Sequence, residues 1–83
     1  MLITVQYFAS VREARGESSD LIELPDNADT KVLLSALRAG PLSMLDQALF
    51  DRLLVAVNQS VVSSTTDLSA DDEVALFPPM TGG

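Results

Sequence analysis

The chain has 83 residues, which is enough for one small domain with one modest core. Its net charge of −7 disfavours nucleic acid and anionic membrane surfaces as partners, so a basic protein is the better expectation. It contains no Cys and no His, which excludes disulfides and thiolate nucleophiles and leaves neither the usual zinc ligands nor a neutral-pH proton shuttle.

These absences predict a chain whose own side chains hold no metal and catalyse no reaction.

No apolar run approaches the roughly 20 residues that a membrane-spanning helix needs. The N-terminal segment also lacks the charged-then-apolar pattern of a signal peptide. We therefore expect a soluble, cytoplasmic protein.

The first part of the chain predicts two strands. Residues 2–8 alternate, with Ile3, Val5 and Tyr7 on one face, as in a strand with one buried side. Residues 20–24 predict a second strand, which the preceding turn could return antiparallel to the first.

A short helix is predicted between these strands, over residues 9–15. Ser10 and Glu13 have the spacing of a capping box, and Gly16 can end the helical turn.

The main helix is predicted over residues 31–39, with Asp29 or Thr30 as its cap. Its apolar stripe consists of Leu33, Ala36 and Leu37. Gly40 and Pro41 form a strong stop signal.

A second short helix is predicted over residues 44–49, because Ser43 and Asp46 repeat the capping pattern. Residues 52–57 follow as a strand that is apolar on both faces, which favours a covered position in the sheet.

The remaining segments predict two more strands. Asn58 and Gln59 turn the chain into a brief strand at Val61 and Val62, and a polar loop then leads to a final strand over residues 73–77. The whole order predicts an α+β fold, a mixed sheet with one main helix packed across it. We place the domain at residues 1–77 and an extended tail at residues 78–83.

The tail carries the most unusual chemistry in the sequence. Pro78 and Pro79 fix φ and lack an N–H, so the chain must leave the sheet stiffly extended. Gly82 and Gly83 carry no side chain and could enter a channel too narrow for other residues. The carboxylate of Gly83 is thus the candidate reactive group, although a frayed end with two glycines was the plainer alternative.

The sequence resembles the MoaD/ThiS family of sulfur carriers, and in particular its MoaD branch, the small subunits of molybdopterin synthase. The residues that carry the resemblance span most of the chain: Phe8-Ala9 with Val11-Arg12-Glu13, Val57-Asn58-Gln59, Asp72-Glu73-Val74-Ala75, and Phe77-Pro78-Pro79 through Thr81-Gly82-Gly83. Phe-Pro-Pro before the diglycine is the specific part. The family usually has a glycine where this chain has Asp71, which tolerates the left-handed conformation.

The resemblance implies a ubiquitin-like β-grasp fold and a reaction at Gly83. A ubiquitin-activating-like adenylyltransferase would adenylate Gly83 with ATP, and a sulfur donor protein would allow its conversion to a thiocarboxylate. The tail, with Pro78, Pro79, Met80, Thr81 and Gly82, would insert into a large synthase subunit, in an expected heterotetramer. Sulfur would pass to cyclic pyranopterin phosphate and form the dithiolene of molybdopterin, with no cofactor bound by this chain.

Three alternatives stay open at the level of the sequence. A carrier for thiamine thiazole synthesis would share the activated diglycine, although Phe77-Pro78-Pro79 counts against it. A ubiquitin-like modifier would join Gly83 to lysine amines, and a plain binding module would use neither glycine.

Alternation in the strands also predicts a docking patch of Phe8, Val61 and Phe77, if the helix covers the face with Val74 and Leu76. The acidic residues Asp67, Asp71, Asp72 and Glu73 are interpreted as solvated turn residues, because consecutive acids in a strand do not converge on a cation. Arg12 and Arg15 could pair with acids of a partner, or with Glu13 and Asp20 of this chain.

Overall fold

A computed structural model describes residues 1–79 of the chain. The predicted division at residue 77 stays a prediction, because most of the tail lies outside this range. Within it, the elements run in the order β1 (Leu2–Tyr7), α1 (Ala9–Arg15), β2 (Ser19–Glu23), α2 (Thr30–Ala39), α3 (Gln47–Asp51), β3 (Leu54–Val57), β4 (Ser60–Val62) and β5 (Glu73–Phe77).

The strands form one five-stranded mixed sheet in the order β2-β1-β5-β3-β4. The central strand, β5, is parallel to its neighbour β1, whereas the pairs β1 with β2, β3 with β5 and β3 with β4 are antiparallel. This arrangement confirms the predicted α+β fold with one main helix. None of the helices among residues 1–79 has the length and apolar character needed to cross a bilayer.

The core lies between one face of the sheet and α2. Ile3, Val5 and Tyr7 point into it as predicted, each at most 1% exposed. Leu33 and Leu37 of α2 are fully buried, while Ala36 of the predicted stripe is half-buried. The remaining buried apolar residues in this cluster are Val11, Leu24, Ala28, Leu42, Leu45, Val55, Leu68, Val74 and Leu76.

The cap predicted for α1 is wrong, although the bounds of the helix are right. Phe8 is the N-cap, its side chain makes no capping bond, and Ser10 lies inside the first turn. The carbonyl of Phe8 instead accepts the N–H groups of Val11 at 3.1 Å and Arg12 at 3.4 Å. Gly16 ends the helix as predicted, with φ of 81°. Because Phe8 serves as the cap, β1 ends one residue earlier than expected.

The second short helix begins later than predicted, because its cap is Asp46 and not Ser43. The carboxylate of Asp46 accepts the N–H of Leu49 at 3.3 Å. Arg38 donates from Nη1 to the carbonyl oxygens of Leu42 at 3.3 Å and Leu45 at 2.7 Å. The carbonyl of Leu42 also accepts the N–H of Leu45 at 3.2 Å, so residues 42–45 form a turn that Arg38 ties to α2.

Strand β3 begins at Leu54 and not at Arg52, because Arg52 is the C-cap of α3. The N–H of Arg52 donates to the carbonyl of Leu49 at 3.0 Å. Strand β2 is shifted by one residue toward the N-terminus, to Ser19–Glu23. The predicted cap Asp29 is confirmed, since its carboxylate accepts the N–H of Val32 at 2.9 Å.

Two turns use left-handed backbone conformations. Asn58 and Gln59 have φ of 49° and 72°, which suits a tight hairpin between β3 and β4. Asp71 has φ of 72° two residues before β5 begins. It adopts the conformation expected for the residue that replaces the glycine of the family, at a cost on the order of 1 kcal/mol.

A charged triad ties α1 to β2 beside the core. Arg15 donates to both carboxylate oxygens of Asp20, at 2.8 and 3.0 Å, and the hydroxyl of Tyr7 donates to Asp20 at 2.8 Å. The hydrogen bond from Arg15 lowers the pKa of Asp20, and burial, followed by the bond to Asp20, raises the pKa of Tyr7. Arg15 therefore pairs with Asp20 of this chain, which is one of the two pairings that the sequence left open for it.

Asp20→Asn should lower the free energy of unfolding at neutral pH by about 1–3 kcal/mol, because it removes the negative charge and replaces one of the two oxygens that accept from Arg15 and Tyr7 by an NH2 donor. The pKa of Asp20 is lower in the folded state, so its contribution is present above the unfolded pKa of about 3.9 and is lost as the pH falls. Urea unfolding at neutral and acidic pH should show the two proteins converging below pH about 4. Tyr7→Phe, which keeps the ion pair, is the control and should cost about 1 kcal/mol. An equal difference between the wild-type protein and Asp20→Asn at both pH values would contradict the assignment.

Candidate functional site

The candidate site begins where the C-terminal strand leaves the sheet. β5 lies between β1 and β3, and its last residue, Phe77, is paired with Leu54. Pro78 and Pro79 follow at once, both half-buried, and neither can donate to a neighbouring strand. The predicted tail residues Met80, Thr81, Gly82 and Gly83 lie outside the described residues.

Phe8 stands beside this exit because β1 and β5 are parallel. Tyr7 is paired with Leu76, and the N–H of Phe8 donates to the carbonyl of Leu76 at 3.1 Å. Phe8 is extended, with φ of −128° and ψ of 154°, so its side chain continues the alternation onto the face opposite α2. There it is 43% exposed.

Val61 reaches the same face from the edge strand β4. It is paired with Ala56 of β3, which is paired in turn with Ala75 of β5. Val61 is 62% exposed, whereas Phe77, two residues beyond Ala75, is half-buried. The structure therefore brings the three predicted residues to one face of the sheet, near the point where the tail leaves, and we call Phe8, Val61 and Phe77 the docking patch.

Sequence reasoning missed the residues between the members of the patch. Ala56 of β3 and Ala75 of β5 follow Val61 in a row across the sheet, and each presents only a methyl group. Leu54 of β3 lies beside Phe77. Their place depends on the register of β3 against β5, which alternation within a single strand does not specify.

The backbone between the patch and α1 is strained. Ala9 has φ of 53°, a left-handed value that costs a residue with a Cβ on the order of 1 kcal/mol. Directly before it, Phe8 projects from the sheet, while Val11, two residues after Ala9, is fully buried. The bend thus allows residues three positions apart to serve the surface and the core.

Arg12 lies next to Phe8 at the rim of the patch. Its side chain is exposed and lines a small surface cavity of about 240 Å³ together with Gln6, Phe8 and Ser18. Arg12 and Arg15 therefore differ in surroundings, since Arg15 binds Asp20.

The acidic turn before β5 is held in place by hydrogen bonds within this chain. The carboxylate of Asp72 accepts the side-chain amide of Asn58 at 2.9 Å and the N–H of Ser69 at 2.7 Å. The amide oxygen of Asn58 accepts the N–H of Glu73 at 3.0 Å. These bonds join the β3–β4 hairpin to the start of β5. Over residues 1–79 no three His, Cys, Asp or Glu residues are grouped so that they could hold a metal ion.

The sequence was also compared with known protein families, and residues 5–83 match the ThiS family. The chain belongs to the ThiS family. It is 42% identical over 83 residues to the molybdopterin synthase sulfur carrier subunit of Escherichia coli, covering 99% of this chain and 100% of that protein. This match confirms the resemblance on which the sequence analysis rested.

Solved structures confirm the ubiquitin-like fold of this ThiS family member. SAMP1 of Haloferax volcanii, a small archaeal modifier protein, superposes with a TM-score of 0.80 at 26% identity, over 100% of both chains. A chain from the protein–protein complex of subunits 1 and 2 of the molybdopterin-converting factor of Helicobacter pylori gives a TM-score of 0.72 at 24% identity, again over 100% of both chains. At that identity the second likeness concerns the fold alone.

Proposed function

We propose that this chain is the sulfur-carrier small subunit of molybdopterin synthase, and that Gly83 carries the sulfur as a thiocarboxylate. The observation that carries the proposal is the exit of the Pro78-Pro79 tail from a central strand beside an exposed apolar patch. The E. coli relative, matched from end to end, bears the same function in its name.

The chemistry follows from the properties of a terminal carboxylate. With a pKa of roughly 3.3–3.7 it is an anion at neutral pH and a poor electrophile. A carboxylate oxygen of Gly83 attacks the α-phosphorus of ATP on an activating enzyme and releases pyrophosphate. Sulfur at the oxidation level of sulfide, delivered by a sulfur donor protein, then displaces AMP from the acyl carbon. The acyl–oxygen bond breaks, an acyl–sulfur bond forms, and a thiocarboxylate results.

Transfer of the sulfur takes place on a large subunit. The thiocarboxylate sulfur displaces an oxygen substituent from a carbon of cyclic pyranopterin phosphate, so that a carbon–sulfur bond forms as a carbon–oxygen bond breaks. Water then cleaves the acyl–sulfur bond, which leaves the sulfur on the pterin and regenerates the carboxylate of Gly83. A dithiolene contains two sulfur atoms, so two charged carriers are consumed for each product. This stoichiometry suits a heterotetramer with two small subunits. In this scheme the chain binds no cofactor of its own. We place the reactions in the cytoplasm.

The division of labour suits the residues of this chain. Without Cys or His it has neither a thiolate nucleophile nor an imidazole for proton transfer at neutral pH. It supplies a docking surface and a diglycine without side chains, while the partners supply the catalytic groups. The docking patch, centred near the root of the tail, would hold the chain on the large subunit.

A ubiquitin-like modifier is the second candidate, because SAMP1 of H. volcanii, which shares the fold, is named a modifier protein. In that function a lysine amine, and not a sulfur donor, would attack activated Gly83 and form an isopeptide bond. Both functions use the same tail, and the fate of the acyl group separates them.

The chain with a thiocarboxylate chemically installed at Gly83 should convert cyclic pyranopterin phosphate to molybdopterin when a large synthase subunit is added. The dithiolene would be measured as its fluorescent oxidation product. The same chain with an ordinary carboxylate is the control and should give no product. If the thiocarboxylate gave no product with a large subunit that is active with another small subunit, the pterin assignment would be wrong.

Docking can be tested separately from the chemistry with two edge-strand residues. Val61→Glu places a charge on the docking patch and should weaken binding to the large subunit by tenfold or more, which corresponds to about 1.4 kcal/mol. Leu21→Glu is the matched control, since Leu21 is 67% exposed on the other edge strand, β2. Titration calorimetry should show near-normal binding for the control, and thermal unfolding should show both variants folded. Equal weakening by the two substitutions would contradict the patch.

A further inference from the structure

A wide groove lies on the other side of the molecule, between α2, α3 and the edge of the sheet. Its volume is about 950 Å³. Its apolar floor comes from α2, α3, β3 and β4. The floor includes Leu34, Phe50, Leu53 and Val62, which are all half-buried against the core. A volume of this size is at the upper end of the range for small-molecule pockets.

The groove is held in shape by bonds at each end. At one end the N–H of Thr30 donates to the carbonyl of Thr66 at 2.9 Å, and the N–H of Thr66 donates to the hydroxyl of Thr30 at 3.0 Å. At the other end Arg38, bonded to the carbonyls of Leu42 and Leu45, lies over the ring of Phe50 at 5.2 Å from its centroid. The groove is therefore formed before any ligand binds.

The charge along the groove is opposite to that of the chain. The sequence has 12 Asp and Glu residues against 5 Lys and Arg residues. Not one acidic residue lines the groove, yet Lys31 and Arg38 both do. Arg38 uses Nη1 for its two carbonyl bonds, which leaves other N–H groups of the guanidinium for a further acceptor.

We propose that this groove binds an extended protein segment in which aliphatic residues are flanked by carboxylates. Lys31 and Arg38 are seven residues apart on one helix, a separation of about 10 Å along its axis. Carboxylates four positions apart on an extended segment are about 13 Å apart and on the same face of the strand, which matches that distance within the reach of long side chains. The aliphatic side chain midway between them faces the groove as well and covers Leu34, Phe50 and Val62.

The free edge of β4 favours an extended conformation for this segment. β4 is the last strand in the sheet and pairs with β3 alone among the described strands. Val62 and the three residues after it line the groove. An added strand can bond to such an edge while its alternate side chains enter the groove.

The groove is distinct from the docking patch. It lies on the side of the sheet covered by α2, and Phe8, Val61 and Phe77 are not among its lining residues. Leu54 borders both surfaces, because it lines the groove and is paired with Phe77, whereas Lys31, Ser35 and Arg38 of the groove lie on α2. Substitutions on α2 can therefore abolish groove binding without altering the docking patch.

The test uses two short synthetic peptides and the ¹⁵N-labelled full chain. One peptide has a central aliphatic run between aspartates, and the other has lysines in their place. The acidic peptide should give saturable amide shifts at Leu34, Ser35 and Val62 and bind about tenfold more tightly than the basic one.

A matched pair of variants locates the site. Ser35→Glu adds a carboxylate in the groove and should weaken binding of the acidic peptide about tenfold. Val32→Glu adds the same charge at an exposed position of α2 outside the groove and should leave binding unchanged. Circular dichroism and pterin-converting activity should be normal for both variants.

Several results would overturn the proposal. They are an absence of saturable shifts, equal binding of the two peptides, equal weakening by the two variants, or shifts confined to Phe8, Val61 and Phe77. Groove shifts that depend on protein concentration without any peptide would assign the groove to a second copy of the chain instead.

Discussion

The parallel pairing of β1 with β5 is the constraint on which the candidate site depends. It places the C-terminal strand at the centre of the sheet, bonded on both sides, so that the residues before the tail are held rigidly up to Phe77. It also directs the ends of both strands to one edge, where the N–H of Phe8 bonds to Leu76. The tail is thereby attached to a stiff base that carries exposed apolar side chains.

The two faces of the sheet have different tasks. The face under α2 is closed by the core, in which Ile3, Val5, Leu33 and Leu37 are all fully buried. The opposite face keeps Phe8 and Val61 in solvent, where they contribute little to stability and are free to contact a partner. A helix that covers five strands incompletely leaves the groove beside β4. An 83-residue chain thus has two separate apolar surfaces in addition to its core.

The sequence predicted most elements to within one or two residues, because alternation and capping are local signals. The final strand and the turn at Asn58 and Gln59 were right. Errors arose where two local signals competed, as when Asp46 and not Ser43 capped α3. The common face of Phe8, Val61 and Phe77 could be predicted from alternation, whereas the places of Ala56 and Ala75 among them and the whole groove could not. Both depend on strand register and on the distance between α2 and the sheet, which no local pattern specifies.

The central claim is that Gly83 carries sulfur, and intact-mass spectrometry of the chain isolated from cells is the most direct test. Cells that lack the large subunit should accumulate the charged carrier, because nothing consumes it. The account predicts a mass increase equal to the exchange of one oxygen for one sulfur, located at Gly83 by fragmentation and absent when the activating enzyme is also removed. Gly83 found only as a free carboxylate, or only in isopeptide bonds to lysine, would contradict the account.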